Sequence, residues 1–278
     1  RANLFLEIIE GIDASDEFKA RTIAEAKFLR AYFYFELVRF FENVPLLTAT
    51  IKGPSEYSQE QNAPKEVYDQ IALDLVDGIA VLPTTLPSDE LGRITKWAAE
   101  AMLGRVYLFY NGVYGADLQA GSVTVNRAKA LEYLEDVVNN SGHDLIANYD
   151  ELFHLSQEYG IESVFEISYG EGPFWGDWGY VQGNDGNLGA QMQGPRAKGG
   201  SAYSRGWSFA PVSEKLAQAM AGDPRLVSTI LTQQELTVDL GLGLDIGYQH
   251  TGYFSKKYSS DAEHLGIGQL ELNRTCNF

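Results

Sequence analysis

The stretch that decides the fold is Ala24-Glu25-Ala26-Lys27-Phe28-Leu29-Arg30-Ala31-Tyr32-Phe33-Tyr34-Phe35-Glu36-Leu37-Val38-Arg39. Ala24, Phe28, Leu29, Ala31, Tyr32, Phe35, Leu37, Val38 and Phe41 recur so densely that Glu17 to Glu42 is predicted as one helix, apolar on nearly every face. Such a helix needs neighbours on every side, and a chain lacking some of them is expected to leave apolar surface uncovered. Pro45 ends the run.

Working outward, Pro64 suits a first helical position, and Val67, Ile71, Leu75 and Ile79 follow at four-residue intervals until Pro83. Thr95 is placed to cap a third helix through Trp97, Ala98, Ala101, Met102, Leu103, Val106, Tyr107 and Leu108, expected to break at Asn111-Gly112. A polar connection then leads to Ala130, Leu131, Leu134, Val137 and Val138, a fourth helix stopped by Asn139-Asn140-Ser141-Gly142. Four helices make two consecutive hairpins. Ala101-x-x-Gly104-x-x-Tyr107 partly matches the tetratricopeptide pattern, in which small residues let helices approach closely, although no 34-residue period is present. The fold is therefore expected to be mainly α, with tetratricopeptide-like hairpins over residues 1–155 and a loop-rich region with short strands over 156–278, both in one domain.

Near Ile161 the texture changes, because Ile161, Phe165, Ile167 and Tyr169 alternate with Glu162, Glu166 and Ser168 like a half-buried strand. From Gly170 to Ala210 there are eleven glycines, too many for helices or long strands. That stretch also holds three of the four tryptophans, Trp175, Trp178 and Trp207, so it reads as a long functional loop and not as disorder. Beyond it a short helix is expected over 212–221, then strands at Leu226 to Leu231 and Tyr253 to Tyr258.

The 278 residues carry 38 acidic and 21 basic side chains, a formal charge of −17 that argues against tracking nucleic acid or anionic headgroups. Cys276 is the only cysteine, so neither an internal disulfide nor a cysteine-based zinc site holds the fold. Even the densest apolar stretch, Phe28 to Phe41, contains Arg30, Glu36 and Arg39 and is no membrane span. The chain opens on Arg1 within what reads as a helix already under way, and a leader is expected to be missing.

The sixteen-residue run, closing on Asn43-Val44-Pro45-Leu46, resembles the hallmark helix of SusD/RagB-like proteins. Ala101 to Leu108, Glu162 to Tyr169, Asp223-Pro224-Arg225 and Lys256-Lys257-Tyr258 extend the resemblance, in order, over nearly the whole chain. One departure is Phe41-Glu42-Asn43, where an aromatic-glycine step is usual. The resemblance implies a longer helical lipoprotein on the outer face of the outer membrane of Bacteroidota. Such a protein would hand oligosaccharide or polysaccharide to a SusC-like TonB-dependent transporter.

The chemistry of the glycine-rich loop agrees with this. A sugar lays its C–H faces on aromatic rings and needs polar partners for its hydroxyls. Trp175, Trp178 and Tyr180 are the candidate stacking platform, with Asp177, Gln182, Asn184 and Asp185 as hydroxyl partners. The competing reading is that these rings pack inward to hold the loop down. Packing is the expected role of Trp207 and Trp97, and Tyr110 and Tyr114 are the fallback location for a ligand.

Nothing points to catalysis. His143, His154, His250 and His264 are isolated, HExxH, GxSxG and P-loop motifs are absent, and abundant carboxylates do not by themselves make a glycosidase pair. Asn184-Asp185-Gly186-Asn187 could ligate calcium but lacks EF-hand spacing, so it is read as a turn and no metal or cofactor is expected. The expected function is glycan capture and delivery without a chemical step. The alternatives are a helical scaffold that binds only protein and, third, a glycoside hydrolase.

Overall fold

The computed structural model describes residues 1–167, 192–199, 203, 206–257 and 276–277. The chain forms two compact units, Arg1–Asp144 and Leu145–Phe278. It is mainly helical, as expected.

In the first unit, helix α1 (Ala2–Ile8) runs into a tight turn that buries Ile9. Helix α2 (Asp16–Phe41) begins where the Ser15 hydroxyl accepts the Phe18 N–H, with Asp16 and Glu17 favourably placed against the positive end of the helix dipole. One face, built from Ala24, Phe28, Ala31, Phe35 and Val38, is buried. The expectation of apolar surface left uncovered is met by Leu29, Phe33, Leu37, Phe40 and Phe41, which recur along a second stripe. Phe40 is 74% exposed and Phe41 68%.

The helix ends at Glu42 with φ of 60°, a conformation that glycine adopts freely and other residues adopt under strain. Glutamate at this position therefore holds its positive φ at a cost to the backbone.

Helix α3 (Pro64–Ile79) starts on Pro64, with the Glu66 carboxylate accepting the Ala63 N–H. It buries Val67, Tyr68, Ile71, Ala72 and Leu75, and α2 packs against it. Helix α4 (Lys96–Tyr114) is capped by the Thr95 hydroxyl, which accepts the Ala98 N–H. It runs past the expected break at Asn111-Gly112 and stops at Gly115, whose left-handed φ of 63° lets its N–H reach the Asn111 carbonyl. A lone glycine inside a helix costs only about 1 kcal/mol, too little to end a well-packed one.

The connection after α4, read from sequence only as polar, is an antiparallel hairpin of β1 (Leu118–Ala120) and β2 (Val123–Val125) turning at Gly121. Leu118, Ala120 and Val125 are buried, and the Gln119 N–H donates to Asp69 of α3. Helix α5 (Arg127–Asn140) is capped by Asn126 and stops where predicted. Phe28, Phe35 and Gly104 are buried as predicted, while Tyr32 and Ala101 are half-buried. Trp97 is core, its indole N–H donating to the Thr84 carbonyl at 2.8 Å.

Polar residues lock these helices together. Arg30 of α2 makes a two-pronged pair with Asp74 of α3, 2.7 Å at each prong, and also donates to Asn3 and the Thr48 carbonyl. Glu25 accepts from Arg93 and Arg21, and Arg21 reaches Glu90. The Tyr34 hydroxyl donates to the Leu47 carbonyl and accepts the Leu47 N–H, fastening the chain beyond Pro45.

The second unit has short elements. Strand β3 (Glu166–Ile167) pairs antiparallel with β8 (Cys276–Asn277). The described strand is shorter than the alternation predicts, for Ile161 sits exposed in a turn, and 168–169 lie outside the described residues. Strand β4 (Ala197–Lys198) pairs with β6 (Gly243–Leu244), and β5 (Ile230–Thr232) with β7 (Tyr253–Ser255). Helix α6 (Glu214–Ala219) is capped by Ser213. The strand predicted over Leu226 to Leu231 is instead helix α7 (Leu226–Thr229) followed by β5. Asp223 explains the switch, because its carboxylate accepts the Arg225 N–H and both prongs of the Arg225 guanidinium, turning the backbone into helix. That pairing holds the Asp223 carboxyl down at about 2. A small core of Ala197, Tyr203, Leu231, Leu236 and Phe254 closes the unit. Among the described residues no helix is long and apolar enough to cross a membrane.

Candidate functional site

The predicted platform of Trp175, Asp177, Trp178, Tyr180 and Asn184 lies outside the described residues, as do Gln182, Asp185 and the Asn184–Asn187 turn. What the structure describes is the frame on either side. On the leading side, β3 is tied to β8, and Glu166 is buried with one oxygen accepting the Ser163 hydroxyl. Its other oxygen is buried without a partner, and burial pushes this carboxyl above the usual range.

On the trailing side two strips of backbone lie against each other. The Gly206 N–H donates to the Pro195 carbonyl at 3.0 Å, Ser208 N–H to Gly194 at 2.9 Å and Phe209 N–H to Met192 at 2.9 Å. Gly206 is required by this approach, since a Cβ there would lie 2.1 Å from the Gly194 backbone. Arg196 adds a bond from its Nε to the Trp207 carbonyl, and Ala197 and Tyr203 enter the unit's core. Trp207 is half-buried with its ring 5.4 Å from that of Phe209, in keeping with a packing role.

These bonds fix the chain on the C-terminal side of the glycine- and aromatic-rich stretch.

At the fallback location Tyr110 is core, while Tyr114 is 38% exposed. Tyr110 is buried with its ring 4.8 Å from that of Tyr68, and Tyr114 leans on both. Burial pushes the Tyr68 and Tyr110 hydroxyls up, and the Tyr68 oxygen has no partner. These rings fill space between α3 and α4, and Phe35 of α2 meets Tyr68 edge-on at 6.3 Å. Of the histidines, His250 meets Gln233 at 2.8 Å and His154 lies 3.7 Å from Asp150. Among the described residues no group of three His, Cys, Asp or Glu side chains is placed to hold a metal.

Residues 1–108, which hold α1 to α3 and most of α4, match the SusD-like family model described as starch-binding associating with outer membrane. Over 156 residues, 56% of this chain, it is 33% identical to a SusD-like protein of Bacteroides ovatus. The chain is similar to SusD-like proteins. The SusD-like fold extends through the second unit as well. A solved laminarin binding SusD-like protein superposes on 99% of this chain with a TM-score of 0.85 and 32% identity. Surface glycan-binding protein A from Bacteroides thetaiotaomicron, solved in complex with laminarihexaose, covers 99% of the chain with a TM-score of 0.81 at 23% identity, a likeness of fold. The chain spans 60% and 58% of those two solved chains, and the match to the Bacteroides ovatus protein covers 27% of its length.

Proposed function

We propose that this SusD-like chain belongs to a cell-surface glycan-binding protein of a polysaccharide uptake system. It captures oligosaccharide and delivers it to a SusC-like TonB-dependent transporter, and is held by a lipid anchor on the outer face of the outer membrane. The protein acts by binding and performs no chemical step. The observation that carries this reading is the 32% identity and TM-score of 0.85, over 99% of the chain, to a laminarin binding SusD-like protein. Trp175, Trp178 and Tyr180 are proposed as the stacking surface, with Asp177 and Asn184 at the polar rim. The frame around Gly206 supports a presented loop.

A second reading, a scaffold that binds only other proteins, is favoured by the exposed stripe of Leu29, Phe33, Leu37, Phe40 and Phe41. Calorimetric titration with laminarin oligosaccharides and a wider glycan panel separates the readings. Saturable binding without product is the expected outcome, no binding favours the scaffold, and released reducing ends would mean a hydrolase. Trp175→Ala and Trp178→Ala should each weaken binding by about 2 kcal/mol or more, whereas Asp177→Ala or Asn184→Ala should lose about 0.5 to 1.5 kcal/mol. If both tryptophan variants bind normally, or simply unfold, the loop platform is wrong.

A further inference from the structure

A cleft of about 520 Å³ opens in the helical unit between α4, α5 and the end of α3. Its walls include Lys96 and Glu100 from α4 and Glu132, Tyr133, Asp136 and Asn140 from α5. Glu100 is only 1% exposed. One of its oxygens lies 3.4 Å from Lys96 Nζ, and the other is buried with no hydrogen-bond partner. Lys96 is drawn away toward Asp136, which it meets at 2.5 Å, and Asp136 also accepts from Asn140. Glu132 is paired with Lys129, whose ammonium lies 4.8 Å from the centre of the Tyr133 ring. Glu135 adds a further carboxylate to the wall. Four carboxylates therefore face two ammonium groups, and the most buried of the four, Glu100, keeps one oxygen without a hydrogen-bond partner.

A carboxylate oxygen without a donor in a low-dielectric setting is an unmet demand for a donor or a positive charge. Around it stand amides, carboxylates and an aromatic face, which recognise a protonated amine through charge-assisted hydrogen bonds and cation–π contact. No group of three ligating side chains suited to a metal occurs among the described residues, so the chemistry favours an organic cation. We infer that this cleft is a binding site for a small ligand bearing a primary ammonium group, with Glu100 at its floor and Asp136, Glu135 and Tyr133 around it. The volume admits a molecule of several carbons with hydroxyls, as an amino sugar has. The site lies within the helical unit Arg1–Asp144.

Protonation supports the same geometry. Burial raises the Glu100 carboxyl to about 7, against the pull of Lys96, and the neighbouring Asp136 pushes the same way as burial. Lys96 is itself raised by its bond to Asp136 and stays charged. Amine binding should therefore strengthen as pH rises through about 7, where Glu100 loses its proton.

The test uses butane-1,4-diamine against butane-1,4-diol, the same chain without charge, titrated by calorimetry into the whole chain. Saturable binding of the diamine near pH 8, none of the diol, and a loss of roughly tenfold or more both at about pH 5.5 and in Glu100→Gln are expected. Equal binding of diol and diamine, no saturable binding near pH 8, or undiminished binding in a folded Glu100→Gln would overturn the assignment. Should Glu100→Gln fail to fold, Glu135→Gln at the wall decides in its place. A weaker diamine complex with the fold intact by circular dichroism supports the site, and unchanged affinity refutes it.

Discussion

In Arg1–Asp144 a fully buried carboxylate, Asp74, pairs two helices, whereas among the described residues of Leu145–Phe278 the ion pairs are half-buried to exposed and backbone makes the close contacts. Asp74, 1% exposed, holds Arg30 across 44 residues, while Lys198 and Asp245 keep 65% and 54% of their side chains exposed. Glycine follows the same division. Gly104 in α4 approaches the flexible Leu134 side chain, but Gly206 approaches the Gly194 backbone. The helical unit specifies itself through side chains that can be exchanged only in pairs. In the other unit Gly206 sits where no side chain fits.

The largest test of this contrast is Asp74→Ala. Removing one partner leaves Arg30 charged, nearly buried and short of acceptors, a change that costs about 3 to 5 kcal/mol. Chemical denaturation followed by circular dichroism should register it, and a loss below about 1 kcal/mol would place this pair with the surface bridges.

Next comes the dependence of stability on pH through Glu100. Its carboxyl is raised to about 7 in the folded chain from an ordinary 4.5, so the folded state binds more protons between those values and stability falls as pH rises through that window. The full effect is on the order of 3 kcal/mol, since every tenfold difference in proton affinity between the folded and unfolded chain corresponds to about 1.4 kcal/mol. Denaturation midpoints compared at about pH 5 and pH 8 should show that fall in the native chain and a flatter profile in Glu100→Gln. Parallel profiles would mean that Glu100 is paired and ionised throughout.

The two close glycines should then separate by what they approach. Gly206→Ala forces a Cβ against backbone and should reach the upper part of the overpacking range, about 3 kcal/mol. Gly104→Ala meets a side chain that can rotate and gains about 1 kcal/mol of helix propensity, so its net effect should be small, while Gly104→Leu should cost about 1 to 3 kcal/mol. Hydrogen exchange should show protection lost around 194–209 in the Gly206 variant and retained in α4 and α5 of Gly104→Ala. Equal losses in both would erase the distinction.

The smallest expected change is Lys198→Ala, within about 0.5 kcal/mol, because an exposed pair is screened by water and salt. A thermal shift of several degrees would show that the loop-rich unit also relies on charge pairs.

By itself the sequence determined the helices of the first unit and most of their ends. Periodicity, the Thr95 cap and Pro64 are local signals, each acting within one turn of the backbone. The family resemblance was legible for the same reason, since the hallmark helix is one continuous stretch. Arg30 was visible too, as a charge inside an apolar helix, but a charge in a string of letters does not name its partner. Only the tertiary structure decided that Arg30 meets Asp74, which face of α2 is covered, and that the connection after α4 is a hairpin fastened to Asp69. It likewise decided that Gly206 is required by Gly194 and that Tyr110 is core. Each of these is a contact between residues distant in the chain, and its free energy comes from burial and close approach that exist only once the elements have packed.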